Sequence, residues 1–318
     1  MLVPANRILD GWNDFWFKPR SVSTLALIRI ATGAMLAYVH AVWCLRLSDF
    51  MGHRALIDNE LIRRLHQNDF AWSYLWDVRD MPTIWLHQGI AILLAICLCI
   101  GFLTRFASPM IWFMTLMVCH RMTGFLFGLD QVVMMLAMYL ILAPTGSRWS
   151  VDAWLSRRLA RDENSTNLLR WLFPSTEPSS MTTAASRLIQ IHLCIVYLFG
   201  GLAKLRGEMW WDGTAMWFSA VAYEYQSLDL TWLGRYSLMG AILSHVTVFW
   251  ETFYCVLIWQ RWSRPYFLAI AVAVHGGIAL FLGMITFGMM MIVANLVFVE
   301  PEWIDRMIAR RRLQSHKT

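Results

Sequence analysis

A lysine followed closely by tryptophans, at the end of a long apolar run, is where this sequence could do chemistry. The segment is RLIQIHLCIVYLFGGLAKLRGEMWWDGTAMW, from Arg187 to Trp217. On a helix, Tyr197 and Lys204 are two turns apart and share a face, with Gly200 between them one turn from the lysine. Gly200 and Gly201 would let a flat ligand or a second helix come close. Partial burial would favour the neutral amine of Lys204 and make it usable as a base. The plainer alternative is that its four-carbon stem snorkels to water from the end of a span. Trp210–Trp211–Asp212–Gly213 then reads as an aromatic interfacial turn before a short amphipathic stretch reaching Tyr225.

Other ionisable groups fall within apolar runs, where each is costly and so a candidate for function. They are Arg29, His40, His87, His120, Asp130, His192, His245, Glu251 and His275. For His40, His87, His120, His192 and His245 the simpler reading is hydrogen bonding between helices. Glu251 could orient a proton path.

The elements that must position these groups are membrane helices. Crossing about 30 Å of hydrocarbon takes about 20 apolar residues. The runs at 23–45, 83–103, 106–122, 129–144, 186–204, 236–259, 266–283 and 285–299 predict an all-α, polytopic transmembrane bundle of about eight spans, with seven to nine as the range. The runs lack the period-2 alternation of a membrane β-barrel. With the N-terminus inside, 17 lysines and arginines fall in inside segments and 9 in outside ones, which predicts both ends in the cytoplasm. The organisation is then a cytoplasmic segment 1–22, a transmembrane domain 23–303 and a basic tail 304–318. An outer loop, 46–82, is rich in aspartate and glutamate, as suits a solvated cap. An inner loop, 147–185, begins with an interfacial helix in which Trp149, Trp154 and Leu155 alternate with Arg157, Arg158 and Arg161. A Pro/Ser linker, Pro174–Ser180, follows it.

Composition agrees. Hydrophobic residues make up 58% of the 318 and charged residues 15%, where a soluble domain carries roughly 25% charged. The 18 tryptophans and 9 tyrosines suit anchoring at headgroup depth. The net charge of +6 is dispersed over short loops, which argues against nucleic acid as a partner. The 6 cysteines lie in or beside apolar runs, and Cys97 and Cys99 lack metal or redox spacing, so no metal is expected. Residues 1–22 carry Asp10, Asp14, Lys18 and Arg20 and no cleavage site, unlike a secretory signal.

The motifs YLFGGLAKL and WWDGTAMW resemble the signature of the HTTM family, whose best known member is vitamin K-dependent gamma-glutamyl carboxylase. Three further stretches resemble it: LIRIATG, GLDQ with PTGSRWSVDAWL, and VHGGIALFLGMITFGMMMIVANLVFVEPEW, together covering roughly residues 20–303. The resemblance implies Lys204 as the base that deprotonates a quinol and His275 as a hydrogen-bond partner of the quinol oxygens. Tyr197 and Trp210 would pack or gate the ring, with Gly200, Gly201 and Glu251 also at the binding site.

The implied cofactor is a reduced naphthoquinone, menaquinone or vitamin K hydroquinone, with O2 and CO2 as co-substrates. Its oxygenation to the epoxide would generate a base strong enough to take a glutamate γ-proton before CO2 adds, which requires a dry pocket. Partners would be membrane lipid, the lipid quinone and a protein or peptide glutamate. A bacterial inner membrane is the expected location. The sequence leaves the oligomeric state open.

The chain departs from the carboxylase pattern at four points. Ile278 stands where the carboxylase has asparagine, and Ala203 where it has a second lysine. Thr123 falls near a family histidine, with His120 the nearest substitute, and no counterpart of the large lumenal domain is expected. These departures leave a second function class open on the same fold, a quinone-binding partner subunit or a solute-passage component.

Overall fold

A computed structural model of the protein describes residues 5–159, 172–173, 178–224 and 227–315. The Pro174–Ser180 linker, Arg161 and Tyr225 fall wholly or partly outside these residues. The described residues are helical, and the only β pairing among them is an isolated bridge between Arg20 and Ser179.

The helices are α1 (Ala5–Phe17), α2 (Ser23–Cys44), α3 (Leu47–Phe50), α4 (Asn59–Leu65), α5 (Met81–Ile100), α6 (Thr104–Arg121), α7 (Gly128–Leu140) and α8 (Val151–Leu159). They continue with α9 (Ser180–Leu205), α10 (Glu208–Trp211), α11 (Ala215–Val221), α12 (Ser237–Leu257), α13 (Arg264–Phe281), α14 (Ile285–Asn295) and α15 (Pro301–Ser315). All eight apolar runs fall on helices. Five of these, α2, α5, α9, α12 and α13, are long and apolar enough to cross a membrane. A sixth is added if Ile285–Phe298 and Pro301–Arg310 count as one broken span. The run at 129–144 forms a helix of only 13 residues, and α6 carries Arg105 and Arg121 near its ends.

The helices fall into two compact units, Met1–Arg187 with Glu300–Thr318, and Leu188–Val299. In the first, α2 lies against α5 so closely that a Cβ on Gly33 would come within 2.4 Å of the Cys99 nitrogen. Arg29 is fully buried there, and its guanidinium donates to the carbonyls of Leu98 at 2.7 Å, Cys99 at 3.1 Å and Trp149 at 2.8 Å. It thereby closes the C-terminus of α5, where carbonyls lack helical partners. Asp152 does the reverse for α6, accepting from the backbone N–H groups of Leu103 and Thr104 at 2.8 Å and from the Thr104 hydroxyl at 2.6 Å. Two of the stretches singled out in the sequence, LIRIATG and PTGSRWSVDAWL, thus meet around these helix ends.

Other polar groups of this unit make local or interhelical ties. His40 bridges Gln88 at 2.6 Å and Thr115 at 3.0 Å, linking α2, α5 and α6. His87 meets the Tyr74 hydroxyl, and Asp130 accepts from the Phe127 backbone N–H at the start of α7. His120 faces the Trp72 carbonyl at 2.8 Å.

The loop 46–82 has a buried cluster beneath its exposed acids. Leu47, Met51 and Leu75 pack with Ile84, Met117, Val118 and Met122 in a buried cluster. Its six acids are each engaged. Asp58 and Asp80 cap helices, while Asp49, Glu60, Asp69 and Asp77 pair with Arg46, Arg64, His66 and Arg63. In the loop that begins at 147, α8 carries Arg158 over the Trp154 ring at 4.1 Å, a cation–π contact one helical turn apart.

Candidate functional site

The second unit gathers most of the sequence-predicted site. Three helices build it: α9 supplies Tyr197, Gly200, Gly201 and Lys204; α12 supplies Glu251; and α13 supplies His275. Two glycines set the spacing. A Cβ on Gly201 would lie 2.7 Å from the Thr252 nitrogen and 2.9 Å from its Cα, so α9 touches α12 backbone to backbone. A Cβ on Gly288 would lie 2.3 Å from the His275 carbonyl oxygen, which brings α14 against α13 at the histidine itself. Of the two uses foreseen for the glycine pair, a close second helix is what occupies the space at Gly201.

Gly200 faces a different surface. A Cβ there would lie 3.2 Å from Glu251 Oε2 and 3.9 Å from Lys204 Nζ. These two groups form an ion pair, with Lys204 Nζ donating to Glu251 Oε2 at 2.6 Å. Glu251 is 9% exposed, and the Lys204 side chain keeps 26% of its surface accessible. The amine also lies 5.4 Å from the centre of the Trp210 ring, the geometry of a cation–π contact. Lys204 therefore turns toward a carboxylate and an aromatic face instead of extending freely toward water.

Two turns before Lys204 on α9, the buried Tyr197 hydroxyl lies 2.8 Å from His275 Nε2. Asn295 of α14 donates to the same hydroxyl at 2.8 Å, and Tyr254 of α12 donates to Asn295 Oδ1 at 2.5 Å. Rings enclose this chain of bonds. Tyr197 packs edge-on to Trp250 at 4.8 Å and against Tyr254 at 4.2 Å, and Phe287 meets His275 at 6.1 Å. His275 is 3% exposed, and its Nδ1 has no hydrogen-bond partner among the described residues. A buried polar atom without a partner is costly, so this nitrogen calls for an explanation.

Beside the lysine, an open cleft of about 420 Å³ is lined by Leu205, Trp210, Trp211, His245, Val248, Phe249, Thr252 and Phe253. Its lining is almost wholly apolar. His245 lies at its edge with its ring nitrogens 2.7 Å from the Ala241 carbonyl and 3.2 Å from the Trp211 carbonyl, a helix-to-turn tie.

Sequence reasoning did not single out Asn295, Tyr254, Trp250 or Thr252. The signal available for Asn295 was an amide inside MMMIVANLVF, a polar group at membrane depth that a search confined to ionisable residues passes over. The Glu251–Lys204 contact joins residues 47 positions apart on different helices, and helical periodicity does not report such a pairing. No cluster of histidine, cysteine, aspartate or glutamate with the geometry of a metal site occurs among the described residues.

Comparison with curated proteins found no match, and comparison with solved structures found none. The family model described as HTTM domain matches residues 17–303, nearly the whole chain. With membrane-type helices over that range and its signature residues gathered on α9, the protein belongs to the HTTM family, the vitamin K-dependent carboxylase-like membrane proteins.

Proposed function

We propose that this membrane protein binds a reduced naphthoquinone in the second unit and couples its oxygenation to removal of a carbon-bound proton, with carboxylation of a protein or peptide glutamate as the furthest extension. The observation that carries the reading is the Lys204–Glu251 pair at 2.6 Å, its lysine two turns along α9 from Tyr197, which meets a buried histidine whose other ring nitrogen has no partner among the described residues. The residues fit such a ligand. His275 Nδ1 offers a polar contact, Gly200 leaves the face beside the ion pair without a side chain, and the apolar cleft adjoining Trp210 suits a hydrocarbon tail.

A bound quinol supplies the strong base by reacting with O2. The chain's own work is to move one proton and exclude water. Lys204 must lose a proton before it can accept one, and Glu251 Oε2 is the nearest acceptor. Proton transfer within the pair leaves a neutral amine beside a neutral acid, and the amine then takes a proton from a quinol hydroxyl. Trp210 covers the amine, and Tyr197 with Trp250 keeps the neighbouring wall apolar. Gly201 acts by letting α12 carry Glu251 within reach. On this reading the chain makes about eight crossings with both termini cytoplasmic, in a bacterial inner membrane.

The test is oxygen uptake by purified protein in lipid nanodiscs with reduced menaquinone. Lys204→Ala should abolish quinol-dependent uptake and epoxide formation, and Glu251→Gln should reduce them. Uptake by Lys204→Ala equal to wild type would remove the central assignment. Menaquinone that copurifies without turnover would point instead to a quinone-binding partner subunit.

A further inference from the structure

The hydrogen bonds around Tyr197 determine where the proton of His275 sits. Asn295 Nδ2 lies 2.8 Å from the Met291 carbonyl oxygen, which can only accept. The atom facing it is therefore the amide NH2, and the orientation of the Asn295 side chain is fixed by its neighbour. One hydrogen of that NH2 goes to Met291, and the other goes to the Tyr197 oxygen at 2.8 Å. Asn295 Oδ1 receives the Tyr254 hydroxyl hydrogen.

Tyr197 thus accepts from Asn295 and has a single hydrogen of its own to give. The remaining polar atom bonded to its hydroxyl is His275 Nε2 at 2.8 Å. Reversing that bond would leave the tyrosine hydrogen buried without an acceptor, since Tyr197 is 3% exposed. Nε2 therefore holds the lone pair, and the imidazole carries its hydrogen on Nδ1. That N–H is buried and has no partner among the described residues.

We infer that Asn295 is a positioning residue which, acting through Tyr197, holds His275 as the Nδ1–H tautomer, so that the imidazole offers the ligand a hydrogen-bond donor. The group received at this point is an oxygen acceptor, a quinone carbonyl or a quinolate oxygen; this identification of the ligand atom rests on the function proposed above, whereas the tautomer does not. The division of labour follows directly. With Nε2 tied to Tyr197 and Nδ1 protonated, His275 has no free basic nitrogen, and proton abstraction falls to the Lys204–Glu251 pair.

The experiment is 15N NMR of the full chain in lipid nanodiscs with labelled histidine, the His275 signals being assigned by their loss in His275→Gln. Wild type should show His275 predominantly as the Nδ1–H tautomer. Asn295→Asp replaces the donor to Tyr197 by an acceptor, which draws the tyrosine hydrogen away and should convert His275 predominantly to Nε2–H. Tyr197→Phe removes the partner of Nε2 and should give a mixture of tautomers, which keeps the test available if Asn295→Asp does not fold. An Nε2–H or doubly protonated His275 in wild type, or an unchanged single tautomer in either folded variant, would overturn the inference. Menadione added to wild type should then shift the Nδ1 signal. An Nδ1–H tautomer that menadione leaves unmoved would overturn the ligand assignment and leave the tautomer lock standing.

Discussion

The two units use their buried charged groups differently. In the first, charged side chains serve the backbone: Arg29 closes the end of α5, and Asp152 opens α6. In the second, Lys204 meets Glu251 and Tyr197 meets His275, so charge and polarity are directed at other side chains. A buried group that completes a helix end has its geometry dictated by that helix. A side-chain pair between two helices has its geometry set by how those helices pack. Burial of a polar residue in a membrane protein is thus a weak guide to function until its partner is known.

Substitutions can break or sharpen this contrast. The largest stability effect is expected from Arg29→Met, which strands the Leu98 and Trp149 carbonyls at a cost of about 3 kcal/mol or more. A lowered unfolding midpoint in detergent would register it, with menaquinone binding by the folded fraction unchanged. Loss of binding at unchanged stability would put Arg29 in the functional class instead.

Next is the glycine pair. Gly201→Ala presses on the Thr252 backbone and should cost about 1–3 kcal/mol. Gly200→Ala meets the Glu251 carboxylate and the Lys204 amine, both ends of side chains, and should leave the midpoint nearly unchanged while lowering quinol-dependent oxygen uptake. Equal effects of the two substitutions on stability and uptake would erase the distinction between packing and site.

Smallest is the cap of α5. The Asp80 carboxyl is held below its usual range by hydrogen bonds from Thr83. A depressed folded-state value means its stabilising contribution is complete above the ordinary aspartate range, near pH 4, and is lost as pH falls through the folded value. Asp80→Ala should therefore lower the midpoint slightly at pH 7 and leave it as in wild type in strong acid, measured by thermal unfolding across pH. A difference that persists undiminished in acid would refute this.

Much of the architecture was legible beforehand. Each of the eight apolar runs is a helix because a membrane chain must satisfy its backbone internally. The number of crossings was not, since α7 and α14 are shorter than a full span. What the sequence did not show in the loop 46–82 was the apolar cluster beneath its acids. The six acids stand at the surface as a solvated cap would have them, with partners on the same loop or at the next helix start.

The amino-acid order by itself set helix type, membrane burial and the shared face of Tyr197, Gly200 and Lys204, because these depend on composition and a period of about 3.6 residues. Which side chains face one another across α9, α12, α13 and α14 was decided only by packing. Glu251 reaches Lys204 because Gly201 admits Thr252, and Asn295 reaches Tyr197 because Gly288 admits His275's backbone. Contacts between helices depend on how two surfaces interlock, and neither surface carries that information alone.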